Sequence, residues 1–309
     1  MTSLNRRELL GVFAGVSATQ LVPTRVSAAS PTHYGFKLGE FDLTIFSDGH
    51  LAIPTRALAR NASEADIKAL IQQSADMVTP ACNVTLVRTP SDLILIDVGA
   101  GPHFMPTAGK LADNMQAAGL DRKTVTKVVL THAHPDHLWG LLDEFDDELM
   151  FPNASYSVPA AELNFWLADD VASRLPEDRQ NFAPGARRNL NRIKERLTIL
   201  KPGQDVATGI RAIDTSGHTP GHISIEIASG NQGLIVLADA LTHPLISFAY
   251  PEWKPVADHY DPERAVVTRK GLLDRLATDQ TRVVGFHFPF PGLGRVSRNG
   301  TSHRFIANP

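Results

Sequence analysis

Three imidazoles and a carboxylate fall within six positions of Thr131-His132-Ala133-His134-Pro135-Asp136-His137-Leu138-Trp139-Gly140, directly after the apolar run Lys127-Val128-Val129-Leu130. Imidazole nitrogen and carboxylate oxygen are ligands for a borderline-soft divalent cation such as zinc. In an extended segment side chains repeat every two residues, so His132 and His134 point the same way. Asp136 and His137 are neighbours, cannot share that direction, and are better placed for a second cation. The competing reading is a surface histidine run, and ligand identity and spacing together weigh against it.

Four ligands are too few for two cations, and the second half of the chain supplies others. His218 sits in Thr215-Ser216-Gly217-His218-Thr219-Pro220-Gly221-His222, a tight glycine-flanked turn. Asp239 ends the apolar strand that starts at Leu234, and His287 ends the one that starts at Arg282. A carboxylate has two oxygens, which makes Asp239 the natural shared ligand. The assignment is His132, His134 and His218 on one ion, Asp136, His137 and His287 on the other, and Asp239 on both. Each ion then keeps an open position for a bridging water, as catalytic rather than structural sites do. Asp97 is expected to orient a ligand histidine, and His222 to support the turn or stand behind the ligands. Asp136 or Asp239 is the group expected to pass a proton to the leaving group.

These ligands need elements that converge. Phe36 to Ile45 alternates apolar positions and reads as early strands, Ala62 to Gln73 reads as a helix capped by Ser63, and Asn83–Val87 and Leu93–Ile96 read as strands around a turn. A weak repeat follows. Strands end in Asp97 and His132 in one half and in Asp239 and His287 in the other, 35 and 48 residues apart, with a helix between each pair. Two matched α/β halves whose strand ends meet at one site are therefore expected. Residues 162–200 fall outside this alternation and are read as a helical insertion, a lid or a dimer contact.

The chain has 309 residues, 43% hydrophobic and 20% charged, with a formal charge of −3. That balance gives no electrostatic footprint for nucleic acid or an anionic membrane. Cys82 is the only cysteine, so no intramolecular disulfide forms. Residues 1–30 run from Arg6-Arg7 through a short apolar stretch to Val26-Ser27-Ala28-Ala29, the order of an export signal. The apolar part is too short to span a bilayer. Paired arginines suit the twin-arginine route, so a periplasmic or secreted protein is expected, with residues 31–309 as a single hydrolase domain.

The combination of Thr131 to Gly140, Gly217 to His222, Ala238-Asp239-Ala240 and His287 resembles the metallo-β-lactamase superfamily. The resemblance implies an αββα four-layer sandwich with a dinuclear site between the sheet edges. Phe151 to Ala154, Glu162 to Trp166, Asp261 to Arg269 and Phe286 to Gly294 resemble its methyl parathion hydrolase and quorum-quenching lactonase branch. The resemblance implies two divalent ions, zinc first with Mn, Co, Fe or Ni as alternatives, and a bridging hydroxide acting on lactones, aryl esters or organophosphate triesters. Two other activities share the ligand pattern: a mononuclear iron oxidoreductase of the sulfur-dioxygenase type and a glyoxalase-II-like thioesterase.

Aromatic residues near the ligands, Trp139, Phe248, Tyr250, Trp253 and Phe288, are expected to wall the substrate pocket. Such walls suit a small neutral ester or lactone as the partner, with a homodimer left open. Tyr250 and Tyr156 are the candidates to hold the substrate carbonyl.

Overall fold

The run Leu93-Ile94-Leu95-Ile96 is apolar at every position, and a strand of that kind must be covered on both faces. The computed structural model, which describes residues 31–143 and 146–307, shows how. Leu93 and Leu95 pack outward under helices, while Ile94 and Ile96 face a second sheet. Leu234, Ile235 and Val236 divide in the same way, Ile235 outward and the other two inward.

The first sheet has seven strands: β1 (His33–Leu38), β2 (Phe41–His50), β5 (Ala81–Arg88), β6 (Leu93–Ile96), β7 (Lys127–Val129), β8 (Ser155–Pro159) and β9 (Leu197–Leu200), in that spatial order. A short ribbon of β3 (Ile53–Pro54) and β4 (Met77–Val78) stands apart. The second sheet also has seven, again in chain order: β10 (Asp205–Ala207), β11 (Ile210–Asp214), β12 (Ile223–Ser229), β13 (Gln232–Val236), β14 (Arg282–Val284), β15 (Leu293–Asn299) and β16 (Ser302–Ala307). Apolar residues of both inner faces, Ile45, Val87 and Val129 against Ile225, Ile227 and Val284, form the central core. Helix Leu111–Ala117 and the helices of the β8–β9 connection cover the outside of the first sheet. Leu272, Leu273 and Leu276 of helix Pro262–Asp279 cover the second. The protein is thus an αββα four-layer sandwich.

Each sheet contains a central parallel pair. Ile94, Leu95 and Ile96 pair with Lys127, Val128 and Val129, and Leu234, Ile235 and Val236 pair with Arg282, Val283 and Val284. Parallel strands run in one direction and need a long crossover, so both pairs end on the same side and carry their next residues to one edge. Helix Pro262–Asp279 is the crossover of the second pair. Proline at its first position and the Asp261 side chain, which accepts from the Arg264 amide, start it cleanly.

The helical character read over 162–200 is present in Ala160–Leu167, Val171–Arg174 and Phe182–Arg192. It stops short of the end, however: Leu197–Leu200 is an edge strand parallel to β8. The stretch is therefore a crossover between two parallel strands. The export signal read over residues 1–30 lies outside the described residues. No helix among the described residues is long and apolar enough to cross a membrane.

Candidate metal centre

The two halves deliver their ligands through matched bends. Asp97, just past β6, and Ala238, just past β13 and before Asp239, both have left-handed backbones, with φ of 63° and 46°. A non-glycine residue there costs on the order of 1 kcal/mol or more, and such strain gathers where geometry must be held. Asp97 accepts from the Thr131 amide (2.7 Å), the Thr131 hydroxyl (2.8 Å) and His137 Nδ1 (2.8 Å), which fixes the start of the histidine run.

The seven residues converge in two groups. In the first, His134 Nδ1 lies 3.1 Å from His132 Nε2 and 2.9 Å from His218 Nε2, and His218 Nε2 lies 3.2 Å from Asp239 Oδ2. In the second, Asp239 Oδ1 lies 3.2 Å from His137 Nε2 and 3.4 Å from His287 Nε2. Asp136 Oδ2 closes that group, 3.3 Å from His287 Nε2 and 3.5 Å from His137 Nε2. Asp239 therefore turns one oxygen to each group. Zinc–nitrogen bonds of 2.0–2.1 Å place tetrahedral ligand atoms roughly 3.3 Å apart, and these separations match.

The same atoms lack other partners. His137 Nε2, Asp136 Oδ2 and Asp239 Oδ1 are buried without a hydrogen bond. Buried polar atoms are ordinarily satisfied, and a shared cation accounts for all three at once. The outer ring nitrogens, by contrast, are mostly held. His132 Nδ1 meets the Thr131 hydroxyl at 3.1 Å, His218 Nδ1 meets Asp258 at 2.8 Å, and His287 Nδ1 donates to the Ala81 carbonyl at 2.9 Å. Such contacts fix the tautomer that leaves the other nitrogen free for a metal. His222 is bound through Nδ1 to Thr215 (2.8 Å) and accepts the Asp239 amide at Nε2 (3.0 Å). It positions Asp239 and offers no atom to either group.

Electrostatics without a metal follow from this crowding. Burial opposes charge on His137, but Asp239, Asp136 and Asp97 carry it up to about 10. Burial likewise opposes charge on His218, and Asp239 and Asp258 carry it to about 9. Burial and neighbouring imidazoles hold His132 and His134 well below the usual histidine range. Asp239 is buried, yet His287 and His137 keep it well below the usual carboxylate range. The donor set, imidazoles and carboxylates in close array, fits a divalent metal.

Comparison with known proteins agrees with the geometry. The model of the metallo-beta-lactamase superfamily matches residues 78–283, well over half of the chain. The chain belongs to the metallo-beta-lactamase superfamily. Among solved members, the dizinc quorum-quenching lactonase AidC is 30% identical with a TM-score of 0.84, over 90% of this chain and 97% of its own. The hydrolase AbOPH of the beta lactamase superfamily is 28% identical with a TM-score of 0.84, over 91% of this chain and 99% of its own. A "Probable metallo-hydrolase" of Mycobacterium bovis is 27% identical over 52% of this chain and 57% of its own length. The chain thus spans little more than half of that curated relative.

Within this metallo-hydrolase fold, a cavity of about 360 Å³ opens onto His134, Asp136, Asp239 and His287. Its walls are mostly apolar, with Leu51, Ile53, Leu58, Phe104, Met105 and Phe182, and Arg179 and Asn181 among the polar groups. None of the five aromatic residues expected to wall it does so. Phe248 and Phe288 are fully buried in the core of the second sheet, their rings 5.7 Å apart, because the strongest call on a large apolar side chain is burial. Tyr250 is exposed and stacks on Trp253 at 4.5 Å, and Trp253 packs against the cluster that contains Leu58. Trp139 stands behind the wall, with its ring 5.6 Å from Phe104. Tyr156 is buried and donates to the Phe151 carbonyl, so neither tyrosine reaches the cavity.

Two residues that support the site, Asp258 and Glu162, are not assigned that role from the sequence, although Glu162 opens one of the stretches that carry the branch resemblance. Asp258 has no motif around it, yet it bonds His218 and is held in turn by Arg269 at 2.5 Å. Glu162 is buried and accepts four hydrogen bonds: Oε1 from the Ala133 amide and Trp166 Nε1, Oε2 from the Thr219 hydroxyl and the Gly221 amide. It ties the loop of His132 and His134 to the loop of His218. Gly221 is required there, because a Cβ would stand 2.3 Å from the Glu162 nitrogen.

Proposed function

We propose that the protein is a dinuclear metal-dependent hydrolase that opens lactones, with aryl esters and organophosphate triesters as secondary substrates and zinc as the resident metal. One observation carries the reading: Asp239 turns an oxygen to each of two ligand groups at the floor of a mostly apolar cavity. The AidC neighbour, a dizinc lactonase with a homoserine product, supports the substrate class. His132, His134, His218 and Asp239 would hold one ion, and His137, His287 and Asp239, with Asp136 beside His137 and His287, the other. Bound there, two ions would lower the pKa of water and polarise the ester carbonyl.

The chain's own residues do the rest. Asp97 and Asp258 keep Nδ1 of His137 and His218 engaged, so each ring presents Nε2 to the site. Leu51, Ile53, Leu58 and Phe104 offer an apolar surface to an acyl or alkyl chain and exclude bulk water. Asp136 and Asp239 are the carboxylates that line the cavity beside the ligand histidines. The proton released as water attacks the carbonyl passes through one of them to the leaving alkoxide.

The test is metal content together with turnover of an N-acyl homoserine lactone, an aryl lactone, methyl parathion and a thioester. About two divalent ions per chain, with lactone opening abolished in Asp239→Ala, is the expected result. One tightly held iron and an inert lactone panel would overturn the reading in favour of a mononuclear oxygenase, and selective thioester turnover would move it to a thioesterase.

A further inference from the structure

The metal cavity does not end at its apolar walls. A second hollow of about 460 Å³ adjoins it, and Ile53, Ala57, Asp178 and Arg179 line both. Two short turns, Thr55–Leu58 and Glu177–Arg179, build the shared wall. Its two sides differ in chemistry. Arg179 is the only arginine or lysine lining the metal cavity, whereas the second hollow adds Arg56 and Arg60. Three guanidiniums therefore face one carboxylate, Asp178, in a chain whose formal charge is −3.

These charges are not paired within the chain. Among the described residues the Arg179 guanidinium makes no hydrogen bond or ion pair, and its Nε is buried without a partner. Its one recorded side-chain contact is with the face of Phe182, 5.8 Å from the ring centre. Arg60 Nη2 donates to the carbonyls of Pro255 and Asp258, which hold the group in place and leave its charge unneutralised. Asp178 is exposed and joins none of the three arginines in an ion pair. Burial pulls the Arg179 guanidinium below its ordinary value, and the like charge of Arg60 adds to that. A guanidinium has five N–H donors and no acceptor, and its planar fork matches a carboxylate. Like charges held around one hollow repel, and a bound anion removes that cost.

We propose that the second hollow is an anion subsite joined to the metal cavity, and that the substrate carries a carboxylate at the end remote from the ester bond. The apolar cavity takes the intervening chain, and the guanidiniums of Arg179 and Arg60 take the carboxylate. The expectation of a neutral substrate then holds only for the part beside the metal centre. The subsite rests on the hydrolase reading for the reaction at the near end and adds a substrate class to it. Arg179 and Arg60 touch the substrate away from the bond that breaks, so they set which substrate binds.

The test uses the zinc-loaded full chain and two sets of probes, a series of straight-chain diacids and the monoacids of equal length. Every probe offers one carboxylate to the metal centre, and the diacids alone offer a second to the subsite. At one chain length calorimetry should favour the diacid by about 5- to 50-fold, between the values of exposed ion pairs and of hydrogen bonds to a charged group. Added salt should shrink that ratio. Arg179→Gln should bring it near the statistical factor of about two, while Arg179→Lys keeps part of it. If Arg179→Gln does not fold, Arg60→Gln, read by the same ratio, decides. Equal binding of both sets by the wild type at every length, undetectable binding included, or an unchanged ratio in these variants, would overturn the subsite. Turnover separates the two readings. A diacid preference in a chain that opens no lactone or ester would sink the hydrolase reading and keep the subsite, whereas lactone opening with equal binding of diacids and monoacids would do the reverse.

Discussion

Replacing Glu162 by glutamine should loosen the site without touching a ligand. The carboxylate accepts at 2.9 Å from the Ala133 amide, 2.6 Å from Trp166 Nε1, 2.8 Å from the Thr219 hydroxyl and 2.9 Å from the Gly221 amide. Glutamine keeps one oxygen and presents an NH2 in place of the other. Toward Ala133 and Trp166 the NH2 would face two donors that cannot become acceptors, so it must turn to Thr219 and Gly221. The Thr219 hydroxyl can rotate to accept, but the Gly221 amide is orphaned. One buried unsatisfied amide costs about 1–3 kcal/mol, and exchanging charge-assisted bonds for neutral ones adds about 1 kcal/mol. A loss of about 2–4 kcal/mol is therefore expected in urea denaturation of the metal-free chain. Because the freed segment carries His218, affinity for the ion at His132, His134 and His218 should fall more than affinity at the other group, read by stepwise metal titration. A loss below 1 kcal/mol, or equal weakening of both groups, would refute the reasoning that Glu162 couples the two loops.

Four further predictions rest on the same geometry. Asp258→Asn should lower metal affinity about 10- to 100-fold, because an amide supports the His218 tautomer less well; competition with a chelator measures it, and unchanged affinity would rule out the orienting role. Without metal, His137 and His218 are raised to about 10 and 9, so both carry protons at neutral pH. Their contribution to stability is fully present below pH 6.5 and is lost as pH rises through about 9 and 10, so the melting temperature of the metal-free chain should fall across that window. Metal loading at pH 7 should release at least two protons, read by calorimetry in buffers of different ionisation enthalpy. Phe248→Ala should cost about 3–5 kcal/mol of stability and leave the KM for a lactone unchanged, since the ring belongs to the core; a raised KM in a folded variant would return Phe248 to the pocket.

How much of this could be read before any coordinates depends on how local the physics is. The two matched α/β halves were legible, because strands such as Leu93–Ile96 and Leu234–Val236 are apolar throughout and are followed by residues that can do chemistry, while the four-layer sandwich followed from the resemblance carried by the metal motifs. The seven residues that converge stood out for a related reason: imidazoles and carboxylates at strand ends have few structural uses, and the carboxylate of Asp239 has one oxygen for each group. The wall of the cavity was not legible. An aromatic residue beside a ligand in sequence has two sides to choose from, and in the turn after Arg282–Val284 neighbouring side chains diverge. His287 faces the site while Phe288, the next residue, goes to the core. Even Phe286, on the other flank, packs on the site from behind, stacked on His137 at 3.8 Å. Residues that do line the cavity, such as Leu51, Phe104 and Arg179, come from loops and short turns, where no period of two or of 3.6 constrains direction. Asp258 was hidden for another reason. It is 40 residues from His218 and is held in place by Arg269 of the distant helix Pro262–Asp279. Specificity in this protein is therefore written mainly in the connections, and the residues that support the ligands are written in long-range packing. The metal-facing atoms alone are written in motifs.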